Sequence, residues 1–278
     1  MTILVTGATG PIGRNLVEVL TTEGVRVRAT SRKPQEAALS TGVEVVPTDA
    51  PGAEMFDGVD RMFVFPFENG VDDLMTAAVA AGVQRFVVLS SLAAAGELPR
   101  EVASSSYRHH LAIERSVTSR TDNWTILRPG TFAGNLLSWA WPIRSGGPVR
   151  APYIQSAQPP IHEADIADAA AVTLTQDGHR ARIYPLTGPQ SLTRIEQVAA
   201  ISAAIGREIE LQEITPDEFR AETARYIPED IISMLLAYWS ETVTTPDPVR
   251  PGFAALTGHP GRTLHQWAQD HRTAFTAA

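Results

Sequence analysis

The sequence contains no cysteine, and Lys33 is its only lysine. Without thiols there can be no disulfide, no thiol nucleophile and no thiolate metal site. The other 22 of the 23 basic residues are arginines, a skew that gives any one arginine little diagnostic weight. No apolar run approaches the ~20 residues a membrane-spanning helix requires. The N-terminus runs straight into a strand pattern without the charged and apolar regions of a signal peptide, so a cytoplasmic protein with no membrane partner is expected. A net charge of -8 argues against nucleic acid as a partner, because such a surface needs a basic stripe. A Gly-x-Ser-x-Gly nucleophile elbow is absent. His162-Glu163 lacks a second histidine four residues from the first, and its place at a helix start suggests capping. His259, His265 and His271 are evenly dispersed without a carboxylate cluster, so no metal site is expected.

The chain does have room for a large core: 278 residues suit one extended α/β domain, or a domain with a smaller lobe. Thr2 to Thr6, Val25 to Thr30, Val43 to Val46, Arg61 to Phe65, Arg85 to Leu89 and Thr125 to Arg128 read as strands. Helical patterns at 11–22, 72–81 and 104–119 alternate with them. This spacing predicts a doubly wound parallel sheet of the Rossmann type, class α/β. After Pro129 the chain turns rich in Gly, Pro and aromatics. A helix at about 163–176, a strand at 182–186, a helix at 191–205 and a mostly helical stretch from 216 follow. The predicted organisation is a nucleotide-binding domain over 1–140 with a return segment at about 161–190. Residues 141–160 and 191–278 would form a small, mostly helical substrate lobe.

The most informative segment is Thr6-Gly7-Ala8-Thr9-Gly10-Pro11-Ile12-Gly13, between the first strand and the first helix. Gly7 allows a tight turn, Gly10 lets backbone N–H groups approach a pyrophosphate, and Gly13 permits close helix–strand packing. The helix N-terminus then presents partial positive charge to the phosphates. About twenty residues on, where an NAD-preferring chain places an acid for the ribose 2′-hydroxyl, stand Ser31, Arg32 and Lys33. Two cations and a hydroxyl there suit the 2′-phosphate of NADPH, with Arg32 binding bidentately and Lys33 as a point charge.

The opening Ile3 to Arg14 resembles that of the atypical short-chain dehydrogenase/reductase superfamily, and within it the NmrA-like group. Arg85 to Ser91, Trp124 to Gly130, Phe132 to Asn135, Ile161 to Ala167 and Tyr184 to Pro189 match further, covering most of residues 1–205. The resemblance implies NADP(H) bound by Gly7, Thr9, Gly10, Pro11, Ile12, Gly13, Ser31, Arg32, Lys33, Asp49, Phe65, Pro66, Ser90 and Pro129. Many members of the superfamily use a serine with a Tyr-x-x-x-Lys pair. Ser91 matches the serine, but a lone Lys33 rules out the pair. Reading back from Glu114 puts His110 at the lysine position and Ser106 at the tyrosine position, with Tyr107 one residue out of register. Ser106, His110 and Glu114 lie on one helix face. His110 is a candidate proton donor near neutral pH, with Ser91 and Tyr107 as the other catalytic candidates. Phe132, Asn135, Trp139 and Trp141 are candidate substrate contacts.

The resemblance implies an NADPH-dependent oxidoreductase, a ketoreductase or quinone reductase, acting on a bulky aromatic small molecule. Aromatic polyketide tailoring in antibiotic biosynthesis fits, and so does an acceptor carrying its own acidic hydroxyl. The alternative is an NmrA-like redox sensor that binds NADP without catalysis. A monomer or homodimer is expected.

Overall fold

The computed structural model describes residues 1–48 and 52–276. Seven strands build one sheet: β1 (Thr2–Val5), β2 (Arg26–Ser31), β3 (Glu44–Pro47), β4 (Arg61–Val64), β5 (Arg85–Leu89), β6 (Trp124–Pro129) and β7 (Arg182–Leu186). Their order is β3-β2-β1-β4-β5-β6-β7, and every pairing is parallel. The chain runs outward from β1 through β2 and β3, then restarts on the other side at β4. This reversal opens a crevice at the carboxyl ends of β1 and β4, the usual place for a ligand in an open α/β sheet.

Consecutive apolar residues form these strands because both faces are covered. Ile3, Val5, Phe63, Val87 and Leu127 pack on one side with helices α1 (Pro11–Thr22) and α4 (Glu163–Thr175). Leu4, Met62, Val64, Phe86 and Val88 pack on the other with α2 (Val71–Ala80) and α3 (Ser105–Thr118). The two interleaved sets are the period-two consequence of a pleated strand.

The lobe has a third core, in which Trp139, Ile143, Val149, Val198, Ile201, Leu264, Trp267 and Phe275 meet. Two short ribbons frame it: Val149–Ala151 beside Leu211–Glu213, and Ala157–Gln158 beside Leu192–Thr193. Its longer helices are α5 (Arg194–Ile205), α6 (Glu229–Thr244) and α7 (Leu264–Asp270). The helix expected from residue 191 starts at 194. Leu192 and Thr193 pair in the ribbon, and Thr193 then caps the helix in a reciprocal box with Glu196.

The domain division in the structure differs from the expected one at two places. Residues 133–139, expected in the nucleotide-binding domain, contribute Ala133, Leu136 and Trp139 to the lobe core. Gly252–Thr257, expected in the lobe, returns to the sheet. Phe253 joins the first core there, and a Cβ on Gly252 would sit 2.1 Å from the Pro185 carbonyl oxygen. Among the described residues, no helix is long and apolar enough to cross a membrane.

Candidate active site

The crevice is built first from backbone. Thr6 Oγ1 donates to the Phe63 carbonyl at 2.9 Å and accepts the Phe65 N–H at 2.7 Å, which locks the ends of β1 and β4 side by side. Gly7 follows at φ +65°, and a Cβ there would lie 2.6 Å from the Phe65 ring. Glycine is therefore required twice, for its conformation and for the aromatic lid that rests on it. At Gly13 a Cβ would meet the Gly7 carbonyl oxygen at 2.3 Å and Ala8 Cα at 2.7 Å, so α1 can approach the turn only through glycine. Gly10 is different, since its added Cβ would meet only the Gly7 oxygen, at 3.4 Å. Gly10 caps α1 without a side-chain acceptor and Pro11 stands in the first turn. The first-turn N–H groups are thus left without a side-chain acceptor, the condition under which a helix end can take an anion.

Arg14 joins this turn to the loop after β2. Its Nε donates to the Thr9 carbonyl at 3.0 Å, and its terminal nitrogens donate to Ala37 and Ala38 at 2.9 Å each. That loop carries Ser31, Arg32 and Lys33. Ser31 is buried, and its Oγ accepts the Lys33 N–H at 3.0 Å, which leaves the hydroxyl proton free to donate. Arg32 is exposed and has no partner among the described residues. Lys33 is exposed and pairs with Glu36 at 2.9 Å, a surface pair weak enough to exchange for a phosphate. The position of Asp49 falls outside the described residues.

On the other side of the crevice, α3 crosses the ends of β4, β5 and β6. The His109 imidazole lies 3.3 Å from the Pro66 carbonyl oxygen and braces the loop after β4. Ser91 Oγ accepts the Ala93 N–H at 3.2 Å and caps the turn Leu92–Ala95. The Tyr107 ring presses on Gly96, where a Cβ would lie 2.7 Å from its Cε2. The close approach brings Tyr107 onto the loop that begins at Ser91. His110 stands 5.2 Å edge-on from His109, with its Nδ1 buried and unpartnered. Burial, with a smaller push from His109, lowers its pKa to about 4. The ring is therefore held neutral near pH 7, with one N–H to offer to an oxygen.

Beneath this surface, Ser90 is directed away from the crevice. Its Oγ donates to Glu114 at 2.5 Å, and Arg128 grips the same carboxylate through Nε at 2.8 Å and a terminal nitrogen at 2.7 Å. Ser90 and Glu114 are both buried. In this arrangement the Ser90 side chain ties β5 to α3 and β6 rather than reaching toward a ligand. Pro129 closes β6 and is buried. Phe132 bridges to Ile161 and packs on the first core, while Asn135 is exposed just beyond it. Trp139 is buried in the lobe core, where it packs. Trp141 is 72% exposed.

The roof of the site is α6, whose role the sequence did not single out. Asp230 at its start accepts the Ser105 N–H at 2.7 Å, docking it on the start of α3. Tyr238 lies beside the Thr131 side chain, and its hydroxyl donates to Asp247 at 2.6 Å. Arg100 stacks over the Tyr238 ring at 5.2 Å and pairs with Glu241. The helical texture from 216 onward is visible in the sequence, but nothing local marks which turn faces β6.

The NmrA-like family model matches residues 1–255. The chain belongs to the NmrA-like family. It is 35% identical to a (4-alkanoyl-5-oxo-2,5-dihydrofuran-3-yl)methyl phosphate reductase of Streptomyces griseus, over 98% of this chain and 99% of that one. It is 32% identical to an NAD(P)H azoreductase of Xenophilus azovorans, over 99% of this chain and the whole of that one. The solved structure of an NADPH-dependent quinone oxidoreductase of Escherichia coli, complexed with NADPH, superposes with a TM-score of 0.77 at 23% identity, covering 96% of this chain and 99% of the other. That likeness supports the Rossmann-type fold of this NmrA-like chain.

Proposed function

We propose that this NmrA-like protein is an NADPH-dependent reductase that passes hydride to the carbonyl of a conjugated acceptor, a ketone or quinone in a bulky aromatic molecule. It is an NAD(P)H-dependent oxidoreductase and NADPH is its cofactor. The observation that carries the reading is a glycine cradle open only at Gly10, beside a β2 end that holds Arg32 and Lys33 and no carboxylate. Gly10 and the first turn of α1 would take the pyrophosphate, Ser31, Arg32 and Lys33 the 2′-phosphate, and Phe65 and Pro66 the edge of the crevice over β4. When bound, NADPH supplies the hydride.

The chain's own residues hold and orient. Ser91 and Tyr107, which meet on one loop, would donate hydrogen bonds to the acceptor's oxygen, and neutral His110 would add a single N–H. None of these is a strong acid at neutral pH. Such a site suits acceptors whose reduced oxygen is already weakly basic, or which carry an acidic hydroxyl beside the carbonyl. Quinones and hydroxylated polycyclic ketones of the aromatic polyketide type meet that requirement, which favours a tailoring step in antibiotic biosynthesis. The named substrates of the two curated relatives, a conjugated furanone and azo compounds, are likewise conjugated acceptors.

The test is NADPH oxidation, followed by absorbance, against quinones, hydroxylated polycyclic ketones and isolated aliphatic ketones. Turnover of roughly 1 s⁻¹ or more is expected with the conjugated acceptors and very little with the aliphatic ones. Tight NADPH binding with no turnover across the panel would refute the reductase and favour a cofactor-reporting protein.

A further inference from the structure

Arg194 opens α5 in the lobe, and only 6% of it is exposed. Its guanidinium stacks on the Trp239 ring at 4.0 Å, and its Nε is fully buried without an acceptor. Among the described residues it pairs with no carboxylate and donates no hydrogen bond. Two other enclosed arginines have carboxylate partners: Arg128 pairs with Glu114 and Arg28 with Glu44. A buried cation without a counter-ion is strongly unfavourable, and a ring face offsets only part of that. Burial lowers its pKa only to about 10, so the charge persists at neutral pH. The cap of α5 is already filled by Thr193, so the helix end itself makes no claim on a ligand.

We propose that Arg194 is an anion receptor of the substrate lobe and holds a phosphate monoester group on the substrate. Ser191, three residues before Arg194, and Arg250, whose backbone joins Thr187, also carry buried donors without partners, Ser191 Oγ and Arg250 Nε. Arg250 N–H donates to Thr187 at 2.8 Å and Asp247 N–H donates to the Ala157 carbonyl at 3.1 Å. The nearby carboxylates are engaged: Asp247 accepts the Tyr238 hydroxyl, and Glu196 is taken up in the capping box with Thr193. A phosphate monoester brings three acceptor oxygens and nearly two charges to such a donor set, and a guanidinium binds it bidentately.

The anion is not the cofactor's. The proposed 2′-phosphate site lies after β2, whereas Arg194 stacks on Trp239, whose neighbour Tyr238 lies beside Thr131 just past β6. Strands β1, β4 and β5 stand between β2 and β6, a separation of about 19 Å at the usual strand spacing. Calling the anion part of the substrate rests on the reductase reading, but binding it does not.

The experiment titrates phenyl phosphate, and phenylacetate as its carboxylate counterpart, into the NADP⁺-loaded full chain by calorimetry. We expect saturable phenyl phosphate binding, at least ~30-fold weaker in Arg194→Met and about tenfold weaker in Arg194→Lys, with NADP⁺ affinity unchanged. If Arg194→Met fails to bind NADP⁺, and so to fold, the lysine variant decides. The proposal is overturned by no phenyl phosphate binding to the wild type, by unchanged affinity in the variants, or by phenylacetate binding as tightly. None of these readouts needs turnover, so failure of the reductase reading is seen separately.

Discussion

Replacing Glu114 tests whether the acid one turn beyond His110 serves structure or chemistry. Its carboxylate accepts three hydrogen bonds, two from Arg128 and one from Ser90, and its side chain is 6% exposed against 16% for Arg128. Glu114→Ala leaves the guanidinium enclosed and unpaired. Removing one partner of a buried pair costs about 3–5 kcal/mol, and the residual exposure of Arg128 puts this case near 3. At about 2–4 °C per kcal/mol for a chain of this size, the melting temperature should fall by roughly 6–12 °C. Glu114→Gln keeps the shape and some of the bonds and should cost about half as much. Glu114→Leu combined with Arg128→Met removes both charges and should recover most of the loss. Thermal unfolding of the four proteins, with NADPH affinity and turnover measured on each, separates the possibilities. A Glu114→Ala protein within about 1 kcal/mol of wild type would refute the structural role, as would a double variant no more stable than the single one. Turnover abolished in Glu114→Gln at unchanged stability would make the acid a participant in the reaction.

Neutralising Arg32 and Lys33 together should weaken NADPH binding by about 10²- to 10⁴-fold, at roughly 1.5–3 kcal/mol for each of the two charge-assisted contacts, and shift NADH binding by less than about threefold. Arg32→Ala should contribute more than Lys33→Ala, because Lys33 already has Glu36, and equal losses for the two coenzymes by fluorescence titration would be the contrary result. His110 has a folded-state pKa depressed to about 4 from 6.5, so its contribution to stability is complete above pH 6.5 and is lost as the pH falls toward 4. Wild type should therefore lose stability relative to His110→Gln over that window in thermal melts, while NADPH oxidation shows no His110 inflection between pH 6 and 8; a rate inflection near 6.5 that vanishes in His110→Gln would contradict the neutral ring. Gly13→Ala places a methyl group 2.3 Å from a backbone oxygen that cannot swing away, so a loss of about 3 kcal/mol or more and of detectable NADPH binding is expected; wild-type affinity in that variant would show that α1 need not approach the turn.

The nicotinamide-cofactor class was legible because its signal is local. Gly7, Gly10 and Gly13 share one turn, and Ser31, Arg32 and Lys33 share one strand end, so spacing along the chain is nearly spacing in space. The parallel sheet was legible for the same reason, since doubly covered strands must read as unbroken apolar runs. The packing of Trp139 was not legible, because an aromatic in a Gly- and Pro-rich segment looks the same whether it lines an entrance or fills a core, and its place in the lobe's third cluster appears only in the fold. The bond from Ser90 was hidden in a related way: its neighbour Ser91 faces the loop, while alternation along the chain turns the Ser90 side chain down to Glu114. Tyr238 and Arg194 carried no signal at all. Their roles come from Thr131, Asp247 and Trp239, which are distant from one or the other in sequence.

The division between the two halves bears on the chemistry. Lacking a lysine for a Tyr-x-x-x-Lys pair, and with His110 held neutral, the crevice forgoes the 10²- to 10⁴-fold that a positioned acid contributes. Hydride transfer at a useful rate then depends on an electrophilic, conjugated acceptor and on holding it close to the nicotinamide, where orientation alone is worth several kcal/mol of barrier. Orientation demands grip at a distance from the reacting carbon, and binding energy gained there can be spent at the crevice. The roof helix α6 supplies the structural means, since Tyr238 meets the loop after β6 and the next residue, Trp239, meets the unpaired cation of the lobe. A rigid acceptor spanning the two would be clamped at both ends by adjacent residues of one helix. The substitution Trp239→Ala should thus raise KM and lower kcat together for an anionic acceptor, by about tenfold in kcat/KM, while leaving a neutral quinone nearly unaffected. Equal loss with both acceptors in steady-state assays would mean that α6 only roofs the site and does not transmit grip from the lobe to the reacting carbonyl.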